Sequence, residues 1–193
     1  MDEYMQQGSL EWLQWRKDKL GASDAAIILG KSPWMTPGQL WEEKLGFREP
    51  QRMNPSMKRG HDLEEQARRL YERMVNVLVF PKVIVHPEYD YIIASLDGIT
   101  LDDTRMVEIK CPGKAIYEMA KQGDIPEYYE IQMQHQMLVT DLKSCDYFCY
   151  NGKEGQWIIH KRDDEFIDKE LLPKLKWFKE CLEKQNPPLD ADD

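Results

Sequence analysis

Val107-Glu108-Ile109-Lys110-Cys111, with Asp97-Gly98 upstream, sets a carboxylate and an amine two residues apart among apolar neighbours. Side chains alternate faces along a β-strand, so Glu108 and Lys110 are expected on one side while Val107 and Ile109 enter the core. Such a face carries the parts of a metal-dependent phosphodiesterase. A hard divalent cation takes carboxylate oxygens, Asp97 at the end of the preceding strand meets Glu108 across a hairpin, and Lys110 lies beside a scissile phosphate. Any amphipathic strand shows the same alternation, so the surrounding residues must decide.

Around this stretch, residues 77–111 read as β. Val77-Leu78-Val79-Phe80, Val83-Ile84-Val85, Tyr91-Ile92-Ile93-Ala94-Ser95-Leu96 and Met106 to Lys110 are short apolar or alternating runs. Pro81, Pro87 and the polar turn at 101–104 break them. Two more strands are expected near 146–150 and 156–161, about the turn Asn151-Gly152-Lys153-Glu154-Gly155. Helices precede, interrupt and follow the strands. Ser9 caps one running to Leu20 with Gly21 stopping it, Ser23 or Asp24 caps one ending at Gly30, and Thr36-Pro37 opens one closed by Gly46. After an exposed loop at 49–56, helices are expected at 57–75, 114–122 and 127–140, and from a cap at Asp163 to Lys184, with Pro173 kinking the last. The fold class is therefore α/β (α+β), a central mixed β-sheet flanked by helices. Its 193 residues form a single domain: a helical part over about 1–75, a sheet core over about 76–162 and a C-terminal helix over about 163–185.

Composition narrows the class further. Hydrophobic residues at 41% and charged residues at 32% match a soluble globular protein, and no apolar run approaches a membrane span. Residues 1–7 lack a basic segment followed by an apolar one, so a cytoplasmic location is expected. The four cysteines form no Cys-x-x-Cys pair and the four histidines are scattered, which argues against a zinc site and favours reduced thiols. A net charge of −9 argues against a broad coating of nucleic-acid backbone. A local basic run remains in Arg52, Lys58, Arg59, Arg68, Arg69 and Arg73.

Other residues assemble around Asp97, Glu108 and Lys110. Arg59-Gly60-His61-Asp62-Leu63-Glu64 opens the helix before the β region and aims a third carboxylate, Glu64, at the sheet. Gln132, in Tyr128-Tyr129-Glu130-Ile131-Gln132-Met133-Gln134, offers an amide that orients a water. Arg16 and Ser23, with Gly21-Ala22-Ser23-Asp24, combine a guanidinium with a hydroxyl at a helix start, where anions bind.

In order and spacing these motifs resemble the phage lambda exonuclease family, also called YqaJ-like viral recombinase nucleases, within the PD-(D/E)xK superfamily. The resemblance rests on Trp15-Arg16, Gly21-Ala22-Ser23-Asp24, Arg59-Gly60, Leu63-Glu64, Ser95-Leu96-Asp97-Gly98, Glu108-Ile109-Lys110-Cys111-Pro112 and Gln132-Met133-Gln134. It implies a restriction-endonuclease-like core and a Mg²⁺-dependent 5′→3′ exonuclease acting on double-stranded DNA ends, leaving a 3′ single strand. Asp97, Glu108, the Ile109 carbonyl and Glu64 would hold two Mg²⁺ ions, with Mn²⁺ able to substitute. Lys110 would hold the nucleophile and neutralise charge, Gln132 would position the water ahead of Gln134, and Arg16, Ser23 and Arg59 would contact the 5′-phosphate or DNA. The family further implies a homotrimer, no membrane, and a single-strand annealing partner of the RecT/Red-beta kind. Two other readings compete: a RecB- or Cas4-like single-strand nuclease, against which the cysteine positions argue, and a catalytically silent DNA-end-binding recombination scaffold.

Overall fold

The computed structural model describes residues 10–50 and 54–188. Ser9 and Arg52 lie outside the described residues. Helix α1 (Leu10–Arg16) ends four residues before Leu20, which instead bridges to Ile92 as a short parallel pairing. Gly21 then does not stop α1. It is the residue before α2 (Ala22–Ile28), where the Asp24 carboxylate accepts from its backbone N–H at 2.9 Å, so Ser23 lies inside the first turn rather than at the cap. Helix α3 (Pro37–Leu45) is capped by Thr36, which accepts from Gln39 N–H, and closed by Gly46 in the left-handed region. Asn54 caps α4 (Pro55–Val75), two residues earlier than expected.

The sheet has five strands in the order β1 (Phe80–Val85), β2 (Ile93–Ile99), β3 (Met106–Lys110), β4 (Ser144–Tyr150) and β5 (Gly155–Lys161). All neighbours are antiparallel except β3 and β4. The parallel step is bridged by α5 (Lys114–Lys121) and α6 (Glu127–Thr140), as a crossover requires. Of the runs expected at 77–80 and 83–85, residues 77–79 lie in no strand, and Phe80 joins the second run in one strand, β1, that passes through Pro81. Proline is tolerated there because β1 is an edge, where a missing N–H deprives no neighbour.

Opposite Pro81 the ladder slips. From Phe80 to Lys82 is two steps on β1, whereas their partners Ile99 and Leu96 are three steps apart on β2. The extra residue falls at Asp97-Gly98, a β-bulge, and it breaks the alternation: Ala94 and Leu96 belong to one core cluster, while Gly98 lies against Val79 and Val107 of the other. Beyond the bulge β2 pairs with β3 only at Gly98–Val107 and Ile99–Met106, leaving a fork at Asp97.

Both faces of the sheet are covered. One cluster packs Leu96, Met106 and Tyr147 beneath Met133 and Met137 of α6 and Phe178. The other packs Val107, Ile109 and Phe148 beneath Ala67 and Tyr71 of α4. At its centre the Tyr71 hydroxyl (2.5 Å) and Arg105 Nε (2.7 Å) both donate to Asp146 Oδ2, tying α4 to β3 and β4. The C-terminal helix is split. A short helix, α7 (Asp164–Phe166), passes through a π-helical turn at Ile167–Leu171 into α8 (Leu172–Glu183). Pro173 sits at the start of α8, where the wider π turn before it relieves the clash a proline ring makes inside a regular helix. Among the described residues, no helix is long and apolar enough to cross a membrane.

Candidate active site

Glu108 is 1% exposed, on the face covered by α6. A buried carboxylate must be paired and hydrogen-bonded, and three groups do this here. Lys110 Nζ is 2.6 Å from Oε1, Gln132 Nε2 donates to the same oxygen at 2.7 Å, and Gln136 Nε2 donates to Oε2 at 2.5 Å. Gln132 and Gln136 are one helical turn apart and so share a stripe of α6. The expected partners Glu108, Lys110 and Gln132 are thus brought together, and Gln136 is an addition. Gln134 points elsewhere, donating to the Lys161 carbonyl (2.8 Å) and accepting from Asp163 N–H (2.9 Å). Burial alone would lower the Lys110 pKa, but the Glu108 and Asp97 carboxylates outweigh it and hold the amine protonated above the ordinary lysine range. The Lys110 ammonium also lies 4.8 Å from the Tyr129 ring centre, a cation–π contact.

Asp97 occupies the fork. Its Oδ2 accepts the Ile109 N–H at 2.8 Å, replacing the ladder bond that β2 and β3 no longer make. Burial, then the Glu108 charge, raises its carboxyl well above the usual range against the opposing pull of Lys110, and the Glu64 charge adds to the rise. Glu64, projecting from α4, is held by Arg68 at 2.9 Å, and Arg68 Nε reaches the Asp97 carbonyl at 3.2 Å. Arg68 therefore locks the third carboxylate to the bulge.

Among the described residues, no three His, Cys, Asp or Glu side chains form a ready-made metal cluster. The donor chemistry nevertheless fits a hard divalent cation. Asp97, Glu108 and the nearby Ile109 carbonyl are oxygen donors, and like charge crowding Asp97 and Glu108 is the cost a bound cation relieves. Cys111, next in the chain, is pushed up to about 12 by burial first and the Glu64 charge next, which excludes it as a thiolate nucleophile.

Arg16 and Ser23 also meet. Arg16 Nη2 donates to Ser23 Oγ at 2.9 Å, which leaves the serine O–H proton available to a further acceptor. Gly21 makes room for this guanidinium, since a Cβ there would stand 2.8 Å from Arg16 Nη2. Next to them Asp24 pairs with Lys44 at 2.9 Å; burial would raise its carboxyl, but Lys44 and then Arg16 hold it below the usual range. Arg59 is occupied otherwise. Its guanidinium donates to the carbonyls of Cys111 (3.3 Å), Pro112 (2.9 Å) and Asn151 (2.9 Å), clamping the segment after β3 and the β4–β5 turn to α4.

Comparison with known proteins identifies the family and the fold. The model of the YqaJ-like viral recombinase domain matches residues 11–143. The YqaJ protein of Bacillus subtilis (strain 168) is 30% identical over 188 residues, covering 94% of this chain and 59% of its own length. A protein of Acanthamoeba polyphaga mimivirus is 27% identical, covering 92% of this chain and 35% of its own. The chain thus spans less than two thirds of either curated relative. Among solved structures, the crystal structure of an alkaline exonuclease, LHK-Exo from Laribacter hongkongensis, superposes with a TM-score of 0.78 at 30% identity, covering 92% of this chain and 94% of that one. The same exonuclease in complex with dAMP superposes with a TM-score of 0.79.

Proposed function

Since the chain belongs to the family of YqaJ-like viral recombinase domains, we propose that it is a Mg²⁺-dependent 5′→3′ exonuclease that degrades one strand of linear double-stranded DNA. The carrying observation is the buried Glu108–Lys110 pair beside Asp97, in a chain 30% identical to an alkaline exonuclease. In this reading Asp97, Glu108, the Ile109 carbonyl and Glu64 would hold the metal, as two Mg²⁺ ions or Mn²⁺ in their stead, and the chemistry supplied there would be polarisation of the phosphate and activation of a water for attack.

The chain's own residues do the rest. Lys110, held protonated, is no proton acceptor; it stabilises charge that develops on the phosphate. Gln132 and Gln136 fix the Glu108 carboxylate so that its oxygens do not reorganise during the reaction. Arg16 and Ser23 hold the terminal 5′-phosphate, the guanidinium through its charge and N–H donors and the serine through its hydroxyl. Gripping each newly exposed phosphate draws the next linkage toward the carboxylates, which gives the strand polarity. The product is a 3′ single strand for a single-strand annealing partner, and the working form is a cytoplasmic homotrimer around the duplex.

The test is digestion of linear duplexes with 5′-phosphate or 5′-hydroxyl ends at matched salt, with and without Mg²⁺, sequencing the surviving strand. Loss of the 5′-phosphorylated strand only with Mg²⁺, and slower loss of the hydroxyl end, is expected. Arg16→Ala should shrink the preference between the two ends more than it slows cutting of the hydroxyl end. Equal initial rates on the two ends for the unmodified protein would refute the phosphate pocket.

A further inference from the structure

The α6 stripe that grips Glu108 does not stop at the buried site. Tyr128, Gln132 and Gln136 are spaced four apart, so the line that ends on the carboxylate begins, one turn outward, at Tyr128. Against Tyr128 stands Trp34, with ring centres 4.7 Å apart and planes at 74°. Tyr128 in turn meets Tyr129 at 4.4 Å, and the Tyr129 ring centre is 4.8 Å from Lys110 Nζ. Three contacts, each under 5 Å, therefore lead from Trp34 to the lysine of the candidate active site.

Trp34 is 59% exposed, an unusual state for the largest apolar side chain. Yet its loop is braced at several points. Gly30 turns the chain in the left-handed region, Lys31 pairs with Glu127 at the start of α6 (3.1 Å), Trp34 N–H donates to Ser32 Oγ (3.2 Å), and Thr36 caps α3. Tyr128 packs against the indole at a steep angle. The arrangement holds a flat aromatic surface in a fixed place, open to solvent, at the rim of a site built for phosphodiesters. Exposed aromatic faces next to phosphate chemistry accept nucleobases, because every base has a π-face and stacking tolerates any sequence.

We infer that Trp34, propped by Tyr128, is a base-stacking platform that takes an unpaired nucleobase of the DNA strand entering the Glu108–Lys110 site. This rests on the nuclease reading above. A nucleotide held by its base at Trp34 has its sugar and phosphate directed along the Tyr128–Gln132 stripe toward Lys110. Stacking would thus hold the strand end open without reading its sequence.

The experiment uses the full chain, EDTA to prevent cutting, and a 5′-phosphorylated hairpin duplex carrying 2-aminopurine in its terminal nucleotides. Binding is read by anisotropy and stacking by quenching of 2-aminopurine emission. Three variants separate stacking from packing: Trp34→Ala, Trp34→Leu, which keeps apolar bulk without a π-face, and Trp34→Phe. Trp34→Ala and Trp34→Leu are expected to bind about tenfold more weakly and to lose the quench, while Trp34→Phe stays within about threefold of the unmodified protein, in line with base–aromatic stacking energies. If Trp34→Ala fails to fold, the comparison of Leu with Phe decides alone. Leu equal to Phe in affinity and quench, or all variants equal to the unmodified protein, overturns the platform. In either case digestion of duplex DNA in Mg²⁺ by the unmodified protein would leave the nuclease reading standing. An unmodified protein that neither binds nor cuts duplex DNA overturns both.

Discussion

At the scale of single residues, the site rests on charges that the fold would exclude if packing were the only demand. Lys110→Ala should leave a folded protein whose Mg²⁺-dependent digestion rate falls by about 10² to 10³, the usual cost of losing one preorganised electrostatic group. Near-normal digestion by this variant, with an unchanged circular dichroism spectrum, would sink the assignment. Asp97 gives a second prediction, of opposite sign for stability. Burial and the Glu108 charge raise its folded pKa above the unfolded value, so the native state binds that proton more tightly. The charged form therefore lowers stability once pH rises through the folded value, and the penalty vanishes below the unfolded one. Asp97→Asn, which keeps an oxygen for Ile109 N–H, should melt at higher temperature than the unmodified protein in metal-free buffer at pH 8, with a gain that shrinks as pH falls. Mg²⁺ at roughly ten times its Kd should stabilise the unmodified protein by about 1.4 kcal/mol and leave the variant unmoved. A variant that melts lower, or gains equally from Mg²⁺, contradicts this account. Asp97, Glu108, Lys110 and Gln132 were legible in the sequence because the strand period of two and a motif spacing set them together. Gln136 and Arg68 were not. Each sits four residues from a recognised site residue, and only the docking of α6 and α4 on the sheet tells which i+4 neighbour turns inward.

At the scale of elements, the bulge in β2 does the aiming. A Cβ on Gly98 would stand 2.6 Å from Val79 Cγ2 and 2.9 Å from Val107 Cγ1, so the bulged backbone can pass only where no side chain is present. Gly98→Ala should cost about 1–3 kcal/mol, the range for overpacking a filled core, and should reduce digestion by displacing Asp97. Adding Val79→Ala to that variant removes the nearest obstruction. Guanidinium unfolding should then show the pair costing less than the sum of the two single substitutions; simple additivity would place the strain elsewhere. Most helices were legible from caps such as Thr36 and stops such as Gly46. The errors have a common origin in tertiary context. Pro81 reads as a break between two strands, but on an edge it continues one; Gly21 reads as a helix stop, but it opens the next helix once Leu20 is recruited to Ile92. A proline in such a run marks either a break or an edge, and only the assembled sheet tells which.

For the whole molecule, a net charge of −9 means that duplex DNA is attracted only where basic side chains are gathered and acidic ones neutralised. In the proposed homotrimer, basic surface such as Lys58 on α4 would turn inward and acidic surface outward. Light scattering at micromolar concentration is expected to give three times the 22.9 kDa chain mass, and a monomer mass would contradict the ring. The strand order has a further consequence. Because β1 to β5 lie in space in the order in which they occur in the chain, every ladder closes a short stretch of chain except that of β3 with β4, which has α5 and α6 between its strands. Asp97, Glu108 and Lys110 all precede that long connection and Gln132 and Gln136 lie within it, so local pairing of β2 with β3 brings the charged groups together while the amides that cover them depend on the docking of α6.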